Sequence, residues 1–306
     1  MSKSISNFIL SELKDKKAKK LFTKNITEFY LYFRTKYLSN HNVIYNESNL
    51  FTFQDKLNYL VIHESPKYKS FIVDKIRLRG YCKKILGKNI CVPILKIYNN
   101  VEDIDFNKLP SKFVMKYNHG SGMNIICENK KIFNITLAKK LLYQWKNINY
   151  GLYTTEFQYL YVKRRIFIEK FLTKNIIDYK FYCFNGNPKF ILAKKALENN
   201  ESIIIKNYYD LEWKFIELEK NEKNFTQKYM ISKPNNLKLM IKYAKLLSQE
   251  FVFVRVDLYE INNHVFLGEL TFTPLNGFKN WKNENISIEL GKFINIKRIK
   301  KYLFNK

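Results

Sequence analysis

The chain has 306 residues, with 54 Lys and Arg against 27 Asp and Glu, and a formal net charge of +27. No apolar run approaches the roughly 20 residues a membrane helix needs. Four irregularly spaced cysteines, Cys82, Cys91, Cys127 and Cys183, make no C-x-x-C pair and no disulfide framework. The length suits two modest domains or one domain with subdomains, with ample material for a core. So large a charge would suit nucleic acid or an acidic surface. Here the lysines are scattered, and Lys, Asn, Ile, Tyr and Phe, the residues of AT-rich codons, are all abundant. A solvated Lys-rich surface, still attractive to acidic polymers, is the expectation. Reduced thiols, and charges that follow too soon after Phe8–Leu10 for a secretory segment, predict a cytoplasmic protein.

In chain order, residues 1–80 read as helical with polar joints. Phe29 to Tyr37 is aromatic and basic, suited to covering a core or meeting a partner. Phe53, Leu57, Leu60 and Val61 lie at helical spacing. Ser65-Pro66 interrupts the pattern, which resumes from Lys69 to Leu86 and ends at Gly87. Cys91–Tyr98 and Phe113–Tyr117 read as strands. The second pairs with Asn124–Glu128 across the loop Asn118-His119-Gly120-Ser121-Gly122-Met123. Thr136 is placed to cap a helix carrying Leu137, Leu141, Leu142 and Trp145. A further helix is expected over Thr154–Val162, then an apolar strand over Arg165–Phe171. Tyr179–Phe184 and Lys189–Ala193 flank Asn185-Gly186, a strong hairpin signal. A short strand at Ile203–Ile205 and a helix starting at Pro234–Asn236 follow. The hairpin Phe251–Gly277 comes next, and a basic helical tail runs from Ser287 to Lys306. The layout is α+β, with a mainly helical region over 1–105 and sheet-containing lobes over 106–172 and 173–306.

Within the last hairpin, period-2 alternation puts Arg255 and Asp257 on one strand face, and Glu269 on the returning strand can come level with Asp257. Two carboxylates brought together need a shared proton or a bound cation, and oxygen ligands suit Mg²⁺. Spacing alone favours the plainer reading, scattered charges on an exposed hairpin. The loop after Lys116 has a similar ambiguity. Gly120 and Gly122 let backbone N–H groups turn toward a phosphate, Ser121 adds a hydroxyl and Lys116 a point charge, yet Gly-Ser-Gly is also an ordinary hairpin loop. Glu169 closes an apolar strand, where it could accept from an adenine amino group or form an edge-strand salt bridge. P-loop, dinucleotide and histidine metal-ligand spacings are absent.

The ordered set carries more than its parts. DKIRLRGYCKKILG (74–87), LPSKFVMKYNHGSGMNII (109–126), RIFIEKFL (165–172), DYKFYCFNGNPKFI (178–191) and VRVDLYEINNHVFLGELTFTPLNG (254–277) together resemble the ATP-grasp superfamily, in its TupA-like (teichuronopeptide-biosynthesis) branch. The resemblance implies two α+β subdomains clamping ATP. It implies that Lys116 and the loop with His119, Gly120, Ser121 and Gly122 hold the phosphates. Glu169 and the backbone of Lys170, Phe171 and Leu172 would meet adenine, and Asp178 the ribose. Asp257, Glu269 and Thr271 would bind Mg²⁺, with Thr271 standing where many such proteins carry Asn. Arg255 would steady the transferring phosphoryl group. The implied activity is an ATP-dependent, ADP-forming carboxylate–amine ligase of bacterial surface polysaccharide or capsule biosynthesis, with a glycan or small-molecule carboxylate and an amine as substrates. Peripheral association with glycan assembly machinery and no nucleic-acid partner go with that reading. The competing readings are a glycosyltransferase, for which no clear D-x-D motif is present, and a basic nucleic-acid-binding protein, which draws only on charge and aromatics.

Overall fold

Two antiparallel sheets carry the architecture. The computed structural model describes residues 9–197, 200–219, 230–279 and 281–299. Five helices come first: α1 (Lys16–Lys24), α2 (Ile26–Ser39), α3 (Phe53–His63), α4 (Pro66–Val73) and α5 (Leu78–Leu86). Short polar side chains start most of them. Asp15 and Asn25 cap α1 and α2, Thr52 and Asp55 form a reciprocal capping box on α3, and Ser65 caps α4 with Pro66 in its first turn. Gly87, at φ 71°, ends α5 in the left-handed conformation.

The helix expected over Lys69–Leu86 is two helices. Asp74 adopts an extended backbone, and its Oδ1 accepts from the amides of Ile76 and Arg77 at 2.9 and 3.4 Å. A short acidic side chain that satisfies nearby amides competes with the helix ladder. The expected helix over Thr154–Val162 reduces to a 3₁₀ turn at Phe157–Tyr161, because Thr155 sits at φ 57° just before it. Asn134, not Thr136, caps the helix over Ile135–Lys146, accepting from Leu137 N at 2.9 Å. The basic tail resolves into a helix over Glu284–Lys292 and a 3₁₀ turn over Ile296–Arg298, and residues 300–306 of that expectation lie outside the described residues.

The smaller sheet has the order β1 (Ile94–Tyr98), β4 (Ile166–Lys170), β2 (Phe113–Tyr117), β3 (Asn124–Cys127). It therefore takes in one strand from before residue 106. Phe113, Met115, Tyr117, Ile166 and Ile168 face the core of this lobe, which is closed by α6 (Ile135–Lys146) through Leu142. The alternate positions, Lys116, Phe167 and Glu169, face the other way.

The larger sheet has the order β7 (Asn200–Tyr209), β6 (Asn187–Leu197), β5 (Asp178–Phe184), β8 (Phe253–Ile261), β9 (His264–Thr271). The β5–β6 turn is Asn185-Gly186 and the β8–β9 turn is Asn262-Asn263, all four at positive φ, as tight hairpin turns require. One face carries Tyr179, Phe181, Cys183, Val254, Val256 and Leu258 into a core with Met240, Ala244 and Leu247 of α7 (Leu237–Ser248). On the opposite face, Phe184 and Phe253 pack at one end with Phe53 and Trp281, while Lys180, Arg255 and Asp257 occupy the other end. Strict alternation along two neighbouring strands thus yields a core on one side and a row of chemistry on the other. All four cysteines are buried and unpaired. No described helix is long and apolar enough to cross a membrane.

Candidate active site

The row of chemistry depends on one extra residue. Counting back from the Asn262-Asn263 turn, Leu258 pairs with Leu267, and regular pairing would set Asp257 opposite Gly268 and Val256 opposite Glu269. Instead Asp257 pairs with Glu269, Val256 with Leu270 and Arg255 with Thr271, so Gly268 bulges out. The bulge brings Glu269 onto the face of Asp257 and sends Leu270 to the core. A Cβ at position 268 would collide with the Tyr259 hydroxyl, so the bulge needs glycine.

The carboxylates are level, and the chain itself supplies cations to them. Arg255 forks onto Asp257, Nε to Oδ1 and Nη2 to Oδ2, both at 2.7 Å. The same Nη2 lies 3.4 Å from Glu269 Oε1 and donates to Thr271 Oγ1 at 3.1 Å. Thr271 Oγ1 donates to Glu269 Oε1 at 2.7 Å. Lys180, paired across the sheet with Asp257, bonds its Oδ2 at 2.6 Å. Burial opposes the charges of Arg255 and Lys180, but Asp257 outweighs it, and both are held above their ordinary values. Burial also works against ionised Glu269, but Lys75, Arg255 and Lys180 hold its carboxyl down at about 2. Glu269 remains the open member of the pair, with its side chain 28% exposed and its Oε2 3.7 Å from Lys75 Nζ.

The lobes meet through Lys75 and the glycine loop. Lys75 Nζ donates to Gly120 O at 2.9 Å while facing Glu269. A Cβ at Gly120 would lie 2.9 Å from the Tyr150 ring, and Gly122 sits at φ 75°, so each glycine has its own reason. Asn118 anchors the loop, donating to Asp74 Oδ1 at 2.8 Å and accepting from Arg165 N at 2.8 Å. His119 turns inward, its Nε2 3.2 Å from Trp145 O, and burial pushes its imidazole down to about 4. Ser121 lines a cavity of about 430 Å³ together with Arg255, Glu269 and Thr271.

Lys116, Glu169 and Asp178 are placed differently. Glu169 takes two cations, Lys116 Nζ at 2.5 Å and Arg79 Nη2 at 2.6 Å. Lys170 is exposed at the end of β4. Asp178 opens β5, 3.4 Å from Lys180, with its carboxyl raised by burial. None of these, nor Phe171 and Leu172, lines the cavity. They lie instead on the smaller sheet and the connection leading from it.

The cavity contains residues that no motif marks. Lys194, Lys206 and Lys279 join Lys180 and Arg255 along its sheet wall. Burial lowers Lys194 below its ordinary value, and burial with Lys206 and Lys194 brings Lys279 down to about 7. Crowded ammonium groups of this kind are relieved by an anion. At the other end are Glu156, Tyr150, Tyr159 and Thr273. The backbone there is held by Arg34, which is fully buried. Its guanidinium donates to Asn58 Oδ1 at 2.7 and 2.9 Å, Thr155 Oγ1 at 2.6 Å, Thr154 O at 3.4 Å, and Asn276 O and Oδ1 at 2.7 and 3.0 Å. Leu275, Asn276 and Gly277 form a left-handed turn at φ 50°, 55° and 82°, and a Cβ at Gly277 would lie 2.8 Å from Arg34 Nη2. Arg34 thus ties two backbone corners of unusual conformation to the cavity's rim, the kind of strain that clusters at working sites.

Comparison with known proteins fits this arrangement. No curated protein matches the chain significantly. Among solved structures, a D-alanine–D-alanine ligase from Bacillus anthracis complexed with ATP is 15% identical, with a TM-score of 0.41 over 81% of this chain and 76% of that one. The ligase from Coxiella burnetii is 14% identical, with a TM-score of 0.44 over 83% and 68%. An N5-carboxyaminoimidazole synthetase from Staphylococcus aureus complexed with ADP is 13% identical, with a TM-score of 0.41; 68% of this chain is covered, and the match spans 47% of that chain. The family described as TupA-like ATPgrasp matches residues 55–295, from α3 through the glycine loop and both hairpins to the helix after residue 283. A match over so much of the chain decides the assignment: the protein belongs to the TupA-like ATP-grasp family of ATP-dependent ligases.

Proposed function

We propose that the protein joins an amine to a carboxylate through an acyl phosphate, and that the carboxylate is an acidic sugar of the uronic type used in bacterial surface polysaccharide. The observation that carries this reading is the basic wall, where Lys180, Lys194, Lys206, Arg255 and Lys279 line one cavity beside Glu269. ATP phosphates alone would not need so many cations, whereas phosphates and a second anion would. In this reading Lys116 and the loop Asn118–Gly122 hold the phosphates, with His119 fixing the loop's shape. Glu169, the Lys170–Leu172 backbone and Asp178 serve the nucleoside. Glu169 would then share its carboxylate between Arg79, Lys116 and the adenine edge.

The oxygen donors fit Mg²⁺. Asp257 and Glu269 are cross-strand partners with the Thr271 hydroxyl beside them, hard ligands of the type this ion takes. Among the described residues no third acidic, His or Cys side chain converges with them, so phosphate and water oxygens would complete the shell. When bound, Mg²⁺ would offset phosphate charge. Arg255 supplies donors where negative charge develops on the transferring phosphoryl group, and Lys75 keeps the loop closed over it.

A carboxylate oxygen attacks the terminal phosphorus, ADP leaves, and the amine then displaces phosphate from the acyl carbon. Turnover with uronic acids and amines should therefore release ADP and inorganic phosphate in equal amounts, read by nucleotide chromatography and a phosphate assay. AMP with pyrophosphate would refute the acyl-phosphate route, and ADP with the phosphate retained on the product would make the protein a kinase.

Binding has its own test. Mg-ATP should raise the melting temperature, and Lys116→Ala should weaken ATP about tenfold, equivalent to ~1.4 kcal/mol of lost ligand stabilisation. Arg79 remains on Glu169 in that variant, so the fold keeps a partner for the carboxylate. Equal stabilisation of wild type and variant would remove Lys116 from the phosphate site.

A further inference from the structure

The cavity's two ends differ in charge. Its sheet wall is basic, whereas the far end presents one carboxylate, Glu156, between Tyr150 and Tyr159. Glu156 is 7% exposed. Its close partners are neutral: Thr273 Oγ1 donates to Oε1, Gln158 Nε2 lies at 3.5 Å from the same oxygen, and the Tyr150 hydroxyl interacts with the carboxylate. Among the described residues no Lys, Arg or His nitrogen comes within 4.0 Å of it. Arg34 acts on it from farther away, with its donors taken by Asn58, Thr154, Thr155 and Asn276. A buried carboxylate whose charge is not matched by a close cation is costly to keep. Burial accordingly raises the Glu156 carboxyl, and Thr273 and Arg34 only partly offset this. Aromatic rings on both sides add faces that attract a cation.

We propose that Glu156, with the rings of Tyr150 and Tyr159, is the subsite for the ammonium group of the amine substrate. The inference rests on the ligase reading above. An ammonium group is repelled from the lysine wall and finds at Glu156 the only cavity-lining carboxylate besides Glu269. Glu269 already faces Arg255 and Lys75. One cavity thereby sorts its two substrates by sign, anion to the sheet and cation to the far end, and the two reacting groups approach from opposite sides.

The test uses the full chain saturated with Mg²⁺ and a non-hydrolysable ATP analogue. Saturation-transfer NMR then measures binding of glycine, L-alanine, L-glutamate, L-lysine, ethanolamine and D-glucosamine, each against its N-acetyl form. We expect at least one amine to bind, its N-acetyl form to bind at least tenfold more weakly, and Glu156→Gln to weaken the amine at least tenfold while leaving the analogue's affinity unchanged. Glu156→Asp should recover part of the loss. Should the Gln variant not fold, the N-acetyl comparison on the wild type decides. The subsite is overturned if none of the six amines binds, if the acetylated forms bind as well as the free ones, or if Glu156→Gln binds amine like the wild type. Failure of the analogue itself to bind would instead overturn the ATP-ligase reading on which the subsite rests.

Discussion

Glu269→Gln is expected to lower kcat for ATP consumption at least about 100-fold, the scale on which loss of a group that organises transition-state charge is felt. Glu269 is the exposed partner of the cross-strand pair and the one that Arg255, Lys75 and Thr271 all address. Gln keeps the size but cannot balance those cations or hold Mg²⁺. Thr271→Ala should cost roughly tenfold or less, because it removes one hydroxyl between Arg255 and Glu269 and leaves both charges in place. Steady-state kinetics on the two variants, with any carboxylate and amine that support wild-type turnover, would decide it. Near-normal kcat in Glu269→Gln would take the residue out of the reaction. The same variant has a signature in acid. A carboxyl held at about 2 when folded, below its ordinary value near 4.3, contributes stability above the higher value and loses it as pH falls toward the lower one. Wild type should therefore lose stability more steeply than Glu269→Gln between about pH 4 and pH 2.

Arg34→Met should destabilise the protein by about 3–5 kcal/mol, a large share of a typical folding free energy of roughly 5–15 kcal/mol. Methionine fills much of the same space but leaves buried acceptors on Asn58, Thr154, Thr155 and Asn276 without their donor. It also frees the left-handed turn at Leu275–Gly277, where Leu275 bears a cost of roughly 1–2 kcal/mol for its conformation. Arg34→Lys should rescue little, since an ammonium cannot serve acceptors set out for a planar fork. Urea titration followed by circular dichroism measures the change, and a loss below about 1 kcal/mol would show the network to be dispensable.

The strands were legible because their residues obey a short rule. Alternation over Phe113–Tyr117, Arg165–Phe171 and Phe251–Tyr259, with Asn-rich turns between partners, fixes both pairing and face. Helix breaks were less legible where one side chain overrides a pattern, as Asp74 does between α4 and α5 and Thr155 before the 3₁₀ turn. Arg34, Lys75 and Glu156 carry no motif and come from separate segments that only the tertiary fold assembles. Among 54 basic residues, Lys194, Lys206 and Lys279 look like ordinary surface charge. Arg34 alone leaves a trace: Tyr30, Arg34 and Leu38 fall four apart on one buried stripe of α2, so a charge stands where the helix's period calls for an apolar residue.

The bulge at Gly268 makes the chemistry of β9 a matter of parity. Shortening the strand by that one residue would exchange the destinations of its neighbours, sending Glu269 toward Met240 and Leu247 and bringing Leu270 out beside Arg255. A change of two residues would keep the faces and move only the level. Length variation in this hairpin should therefore be admitted in even steps on the turn side of Glu269. An odd step would leave the sequence nearly intact, turn polar side chains into the apolar core and remove the carboxylate from the cavity in the same event.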